Sequence, residues 1–227
     1  MSGWGAHLGA PLNTMVAVAR AAQGLPPATV AVLNTAKGGA TTASHRVEGL
    51  WDALLAQAHP DDVVVIQFGH NDQKCQELPP FGAYTENLTR FVAEARAVRA
   101  HAVLCTPVAR RHFAGDHIEQ THREYPDAVR AAATALGVPL IDLTVWTTAL
   151  YERLGPLGST ALFTHLPAGA SQLYPDGVED NTHFSFMGAS TVAAYVAQCL
   201  TPVVLTAIAG YERREGRHPI HHGGSGR

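Results

Sequence analysis

Short apolar runs rich in β-branched residues alternate with helical patterns along the chain, and this alternation constrains the fold more than any other feature. The clearest run occupies 62–68, and others occupy 29–33, 102–105 and 138–141. Runs this short, separated by helices, are typical of buried strands in a parallel sheet that carries helices on both faces. We therefore predict an α/β fold whose visible strands are all parallel.

Helical periodicity and turn residues fill the intervals between the predicted strands. Apolar residues recur at helical spacing in the segments 8–19, 47–58, 88–98, 126–137 and 192–200. Residues 163–178 are rich in glycine, proline and serine, which predicts a loop. No repeat or second domain is visible, so residues 1–209 are predicted to form a single domain, followed by a flexible polar tail over 210–227.

Composition and charge argue against several classes of protein. The 227 residues are 46% apolar and 15% charged, with a formal net charge of −3, which gives no reason to expect a nucleic-acid partner. No uninterrupted apolar run reaches the ~18 residues of a membrane span, so no membrane is expected. The three cysteines are widely spaced, which does not fit a disulfide framework. Together with the lack of a visible export signal, this predicts a reducing, cytoplasmic location, with secretion as the alternative if a leader precedes the sequence.

Two short segments follow predicted strands, where a doubly wound sheet places its ligands. Gly39 comes after the first predicted strand, and Asn71, within Gly-His-Asn-Asp, follows the second. A glycine turn lets a substrate oxygen approach a main-chain N–H, and a primary amide can donate to the same oxygen. The alternatives are a tight turn for Gly39 and a helix cap for Asn71. We favour an oxyanion hole formed by both, with Asp72 fixing the turn.

A carboxylate–imidazole pair precedes the last predicted helix. Asp180 and His183 are three residues apart, so the carboxylate can hold the imidazole in one tautomer and leave its other nitrogen free as a base. A polar turn leading into a capped helix is the alternative interpretation. Together with the predicted oxyanion hole, the pair indicates the base and orienting acid of a serine-type acyl transfer.

Two further arginines would flank this site. Arg110 and Arg111 follow the third predicted strand, and guanidinium groups suit the carboxylate of an anionic sugar such as a uronate. A solvated loop with surface ion pairs explains them equally well. The thirteen histidines are scattered without metal-ligand spacing, so neither a metal site nor a cofactor is expected. A nucleotide or flavin binder of the same layout is a remoter alternative, because no phosphate-loop pattern accompanies the glycines.

The order of these motifs resembles the SGNH (GDSL-type) hydrolases, and within them the rhamnogalacturonan acetylesterase branch. Gly39, Asn71, Asp180 and His183 carry the likeness, which extends from about residue 3 to residue 200. The supporting stretches are 3–5, 34–39, 66–74, 106–111, 174–177, 182–184 and 188–189.

The resemblance implies a flavodoxin-like three-layer sandwich with a five-stranded parallel sheet. Gly39 and Asn71 would donate to the oxyanion, His183 would be the base, and Asp180 would orient it. The implied reaction releases acetate from an acetylated pectic sugar, so the expected partner is a small-molecule or oligosaccharide acetyl ester, with no metal or cofactor.

The chain departs from the family pattern at the nucleophile. The family opens with a strand that runs into a Gly-Asp-Ser turn, and the 227 residues contain no such tripeptide. Ser2 has no predicted strand to place it, and Thr41, Ser44 and Cys75 would attack from the wrong point on the sheet. We therefore expect the first strand to be missing, through a late start site or a truncation, and the chain to be inactive as written. The alternative is a non-catalytic carbohydrate-binding relative that retained the pocket.

Overall fold

The structure is a computed structural model that describes residues 2–216. Its strands within that range are β1 (Val63–Gln67), β2 (His101–Cys105), β3 (Phe113–Ala114), β4 (His117–Ile118), β5 (Leu140–Ile141), β6 (Phe163–Leu166) and β7 (Val178–Phe184). Its α-helices are α1 (Gly9–Ala22), α2 (Thr42–Val47), α3 (Leu50–Leu55), α4 (Thr85–Ala97), α5 (Tyr125–Leu136), α6 (Leu143–Gly158) and α7 (Phe186–Arg214). Helices and central strands alternate along the chain, as predicted.

The central sheet is parallel and has the strand order β1–β2–β5. Val63 of β1 lies opposite His101 of β2, and Leu104 of β2 lies opposite Leu140 of β5. Strands β3 and β4 form a small antiparallel hairpin outside this sheet, and β6 and β7 form another. The predicted α/β class with a parallel sheet is confirmed.

Alternate residues of the sheet enter two separate cores. Val103 of β2 packs in a cluster with residues of α1, α6 and α7, such as Leu12, Leu143 and Val196. Its neighbour Leu104 packs on the other face with residues of α3, α4 and α5. Because successive side chains of a strand point to opposite faces, this division places helices on both sides of the sheet. The molecule is a three-layer sandwich, as the resemblance implied.

The strand predicted over 29–33 is not formed, so the sheet has three strands among the described residues rather than the five implied. Val30 is held at both backbone groups by the side-chain amide of Asn13, at 2.8 Å each, while Leu33 is 59% exposed. An extended segment becomes a strand only when a neighbour accepts its ladder hydrogen bonds. Within residues 2–216, no strand pairs with this segment or with the outer edge of β1.

Two other local predictions are wrong. The predicted loop over 163–178 begins as strand β6, because Phe163 is buried and its strand pairs with β7, the next strand in the chain. The helix predicted over 47–58 is shorter and occupies only Leu50–Leu55 as α3, because Gly49 takes a left-handed conformation with φ of 73° that separates α3 from α2. Helix α6 was not predicted at all.

Helix α7 extends beyond the predicted domain boundary at residue 209. Glu212 pairs with Arg20 of α1 at 2.6 Å, and Arg214 pairs with Asp61 and donates to the carbonyl of Pro60 at 2.7 Å. These contacts fix residues 210–214 as helix rather than tail. The remainder of the predicted flexible tail, from residue 217, lies outside the described residues.

Helix α7 is also long and apolar enough to cross a membrane, judged by length and composition alone, with a mean hydropathy of 1.8 over 18 residues. One of its faces is nevertheless part of the core: Val192, Val196 and Leu200 are each no more than 1% exposed. In this fold the helix serves as a packing element against α1 and the sheet.

Candidate active site

The candidate site lies at the carboxyl ends of the strands, where the turn 69–72 follows β1. Gly69 has φ of 122°, a conformation that side-chain-bearing residues rarely adopt. A Cβ atom at this position would lie 3.3 Å from both Pro107 and the hydroxyl of Tyr84. The turn therefore favours glycine chiefly through its backbone conformation, and a Cβ atom would also require Pro107 or Tyr84 to move slightly.

Asp72 fixes this turn, as the sequence predicted. Its side chain is completely buried, and its Oδ2 accepts from the N–H of Gly69 at 3.0 Å. Its Oδ1 accepts from both the N–H and the hydroxyl of Thr42, each at 2.7 Å. Asp72 thus ties the turn to the start of α2 and is fully occupied with that structural task.

Asn71 and Gly39 are brought together by the same connection. One N–H of the Asn71 amide donates to the carbonyl of Ala40 at 3.2 Å, which places this side chain beside the glycine turn. Gly39 has φ of 81° and is exposed, and within residues 2–216 its N–H has no hydrogen-bond partner. The second Asn71 N–H and the Gly39 N–H are therefore two unused donors at neighbouring positions, as an oxyanion hole requires.

Asp180 and His183 form the expected pair on β7. Oδ2 of Asp180 lies 2.7 Å from Nδ1 of His183, while Oδ1 accepts from the backbone N–H groups of Thr182 and His183 at 2.7 and 2.8 Å. Burial favours a raised pKa for Asp180, but these backbone donors and the imidazole outweigh it, so the pKa lies below its usual value. A carboxylate that stays ionised holds the proton of His183 on Nδ1 and leaves Nε2 free.

His183 has an exposed side chain, and within residues 2–216 its Nε2 has no hydrogen-bond partner. A ring nitrogen that is free of protein partners and accessible to solvent is what a general base requires.

Arg110 and Arg111 lie between the two halves of the site. Nη2 of Arg110 donates to the carbonyl of His70 at 3.1 Å, in the turn after β1. The N–H of Arg111 donates to the carbonyl of Asn181 at 2.9 Å, on β7 between Asp180 and His183. Both guanidinium groups bond to protein atoms, and their assignment to substrate binding stays a prediction.

Two histidines beside Asn71 were not singled out from the sequence. The rings of His70 and His122 pack edge to face at 4.4 Å, and Nε2 of the fully buried His122 donates to the carbonyl of Val108 at 2.8 Å. Burial, reinforced by Arg110, lowers the pKa of His122 to about 4, and burial also lowers the pKa of His70 well below its usual value. The charge of His183 contributes to the shift at His70, so the base and the turn are electrostatic neighbours.

Three of the four candidate substitutes for the nucleophile, Ser2, Thr41 and Ser44, have other side-chain partners. Ser2 is positioned, contrary to expectation, by a bridge in which its N–H donates to the carbonyl of Phe184 at 3.1 Å. Its hydroxyl nevertheless lies 2.6 Å from Nε2 of His7 rather than beside His183. Thr41 and Ser44 cap each other's backbone at the start of α2, at 3.0 and 2.9 Å.

The part of the chain that the structure describes contains no group of three or more His, Cys, Asp or Glu side chains arranged to hold a metal ion. The chemistry that the arrangement offers is proton transfer at His183 and hydrogen bonding to a developing anion.

Comparison with known proteins identifies relatives across most of the chain. Residues 1–191 match the model of the GDSL-like lipase/acylhydrolase family. Rhamnogalacturonan acetylesterase RhgT of Bacillus subtilis is 43% identical over 192 residues, which cover 84% of this chain and 83% of that protein. The probable rhamnogalacturonan acetylesterase YesY of the same organism is 30% identical over 200 residues, covering 86% and 82% of the two chains.

Solved structures share the fold at lower identity. The crystal structure of YxiM from Bacillus subtilis superposes with a TM-score of 0.65 at 22% identity, covering 95% of this chain and 51% of that one. A lipase/acylhydrolase from Enterococcus faecalis superposes with a TM-score of 0.53 at 24% identity, covering 84% and 85%.

Proposed function

The chain belongs to the GDSL-like lipase/acylhydrolase family and is a hydrolase acting on ester bonds, and from this premise we propose that it serves to remove acetyl groups from rhamnogalacturonan-type pectic sugars. The observation that carries the proposal is the likeness to the Bacillus subtilis acetylesterase over most of both chains. The geometry of Asp180, His183, Asn71 and Gly39 supports it, because these groups have the partners that acyl transfer requires.

In the proposed reaction, a serine hydroxyl attacks the acetyl carbonyl carbon and passes its proton to Nε2 of His183. The carbonyl oxygen becomes an oxyanion that accepts from the N–H of Gly39 and the free N–H of Asn71. The bond from carbon to the sugar oxygen then breaks, and His183 returns the proton to that oxygen. Water repeats the sequence on the acetyl-serine, releasing acetate and restoring the hydroxyl.

We also propose that residues 1–227 do not themselves supply this serine. The tripeptide Gly-Asp-Ser is absent from the sequence, and His183 has no serine partner among the described residues. The unpaired outer edge of β1 and the unpaired segment 29–33 are where a further parallel strand would complete the sheet. Such a strand would end near the turn 69–72, since parallel strands end at the same edge.

Acetate release tests the proposal. The chimera is made by fusing a segment of RhgT ahead of Ser2. That segment contains the opening strand and the Gly-Asp-Ser turn, which the family pattern places before residue 3. We expect this chimera to release acetate from acetylated rhamnogalacturonan, and residues 1–227 alone to release none above background. A chimera whose introduced serine is alanine is the matched control. Equal acetate release by residues 1–227 and by the chimera would refute the proposal that residues 1–227 lack the nucleophile. Acetate release from acetylated xylan alone would refute the proposed rhamnogalacturonan substrate.

A non-catalytic carbohydrate-binding role is the second candidate, because the carboxylate–imidazole pair and both oxyanion donors are formed without a serine. Titration calorimetry of residues 1–227 with an acetylated rhamnogalacturonan oligosaccharide distinguishes the two. Saturable binding combined with an inactive chimera favours the binding role. An active chimera favours the esterase.

A further inference from the structure

The two arginines that follow β2 make an unusual set of contacts for a surface loop. Arg110 donates to the hydroxyl of Thr121 at 3.1 Å and to the carbonyl of His70 at 3.1 Å, and its Nη1 lies 3.4 Å from Nδ1 of His122. The amide oxygen of Gln73, when turned toward the guanidinium, accepts from it at 2.6 and 2.7 Å. Arg110 therefore holds the turn 69–72 against the segment 121–122.

The tautomer of His122 supports this contact. Its Nε2 donates to the carbonyl of Val108, which leaves Nδ1 as an acceptor facing the Arg110 guanidinium. The lowered pKa of His122 keeps that acceptor unprotonated at neutral pH. Nδ1 of the buried, neutral His122 thus accepts from Nη1 of Arg110, while the carbonyl of His70 accepts from Nη2.

Arg111 makes the matching contacts on the other side of the site. Its backbone N–H and its Nη1 donate to the carbonyl and the side-chain oxygen of Asn181, at 2.9 and 2.7 Å. Its remaining nitrogens donate to Ser159 at 3.1 Å, to Thr160 at 2.8 Å and to the carbonyl of Pro156. Arg111 therefore fixes β7 between Asp180 and His183 against the end of α6.

Within residues 2–216, the hydrogen-bond acceptors of these two guanidinium groups are all neutral, and neither group forms an ion pair with a carboxylate. Surface arginines placed for solubility or ion pairing have no need of four or five oriented acceptors. A guanidinium group is planar and its N–H donors point in fixed directions. When several of these donors are bonded at once, the group holds the protein segments that carry the acceptors at a set distance.

We propose that Arg110 and Arg111 are positioning residues that together set the separation between the oxyanion donor Asn71 and the base His183. The dipeptide is the direct link between the two halves of the site: one residue bonds to the turn of Asn71 and the next bonds to the strand of His183. The role depends on the proposed site but not on its substrate, and it replaces the alternative in which these arginines bind an anionic sugar.

Nuclear magnetic resonance of residues 1–227 without ligand tests this role. Arg111→Lys keeps the charge but cannot reproduce the four side-chain donations. We expect it to shift the imidazole ¹⁵N signals of His183 and also the side-chain amide signals of Asn71, which it does not contact. Arg110→Lys should have the reciprocal effect, and hydrogen exchange at the amides of 69–72 should accelerate about ten- to a hundredfold, as loss of a charged hydrogen bond allows.

Arg153→Lys is the matched control, since the Arg153 side chain is exposed and makes no hydrogen bond within residues 2–216. It should shift neither signal. If Arg110→Lys shifts only the Asn71 signals and Arg111→Lys shifts only the His183 signals, the two arginines act separately on their own segments and the proposal is refuted. If neither arginine variant shifts the Asn71 or His183 signals but both bind galacturonate more weakly, the arginines are substrate ligands and the proposal is wrong.

A milder change covers the case in which the arginine variants do not fold. Thr121→Val retains the shape of the side chain and removes one acceptor of Arg110. If Thr121→Val shifts both the Asn71 amide signals and the His183 imidazole signals, by less than the arginine variants do, the result supports the proposal. A folded Thr121→Val protein with an unchanged His183 signal contradicts it.

Discussion

His183, the proposed base, is oriented by the Asp180 carboxylate, which is itself held by backbone hydrogen bonds. One oxygen of Asp180 holds Nδ1 of His183, and the other accepts from two backbone N–H groups in the same strand. These contacts explain why a spacing of three residues is sufficient: the carboxylate turns back over its own strand. At this scale the sequence is informative, because the pair and its partner donors lie within four consecutive residues.

Asp180→Asn should convert His183 to the wrong tautomer. An amide N–H facing Nδ1 would favour the proton on Nε2, so the base would lose its free nitrogen. Comparable changes in serine triads reduce turnover by about 10⁴, and we expect a loss of about a thousandfold or more in the chimera. Imidazole ¹⁵N shifts measure the tautomer and acetate release measures the rate. Asp116→Asn, at an exposed turn, is the control, and equal losses in both variants would contradict the assigned role.

At the scale of elements, the turn after β1 is where backbone conformation and chemistry coincide. Gly69 has a conformation that side-chain-bearing residues rarely adopt and tight packing around it, and its N–H donates to Asp72. The direction of the Asn71 side chain depends on this turn. Through the backbone of this turn, Gly69 therefore influences the position of the proposed oxyanion donor Asn71.

Gly69→Ala should lower the free energy of unfolding by about 1–3 kcal/mol, the usual range for a residue forced into a sparsely populated conformation. Gly38→Ala is the matched control, because a Cβ atom there would have no atom within 4 Å and no positive φ is required. Urea denaturation of the two variants measures the difference. A Gly69→Ala protein as stable as Gly38→Ala would show that the turn tolerates a side chain.

The elements that could be predicted are those whose pattern is local. Strand β1, helix α5 with its Gly137 terminus, and the turn motif after β1 were identified from spacing and end residues. The pairing of β6 with β7 and the unpaired state of 29–33 within residues 2–216 depend on partners outside each segment, which local periodicity does not report. The contacts of Arg110 with His122 are non-local in the same sense.

At the scale of the whole molecule, buried neutral histidines link folding to pH. The folded pKa of His122 is lowered to about 4, whereas the unfolded chain titrates near the ordinary value of about 6.5. Between these values the unfolded state binds more protons, so stability falls as pH falls. The lowered pKa of His70 acts in the same direction, while the lowered pKa values of Asp180 and Asp142 remove stability only below about pH 4.

Replacing His122 should therefore flatten the pH dependence of stability above pH 4.5. His122 contributes a slope of up to about 1.4 kcal/mol per pH unit, and His122→Asn removes that contribution even if the variant is less stable at pH 7. Urea unfolding at pH 7, 6 and 5 measures the slope. His117→Asn, at an exposed position, is the comparison, and a slope unchanged in His122→Asn would contradict the assignment.

At the scale of the whole molecule, the central proposal is that residues 1–227 hold the base and the oxyanion donors of an ester hydrolase but not its nucleophile, and labelling with a serine-directed phosphonate tests that proposal most directly. Mass spectrometry should find no adduct on residues 1–227. It should find one adduct on the chimera, at the introduced Gly-Asp-Ser serine, and His183→Ala should abolish it. An adduct on Ser2 or any other residue of the 227, lost when His183 is replaced, would contradict the account.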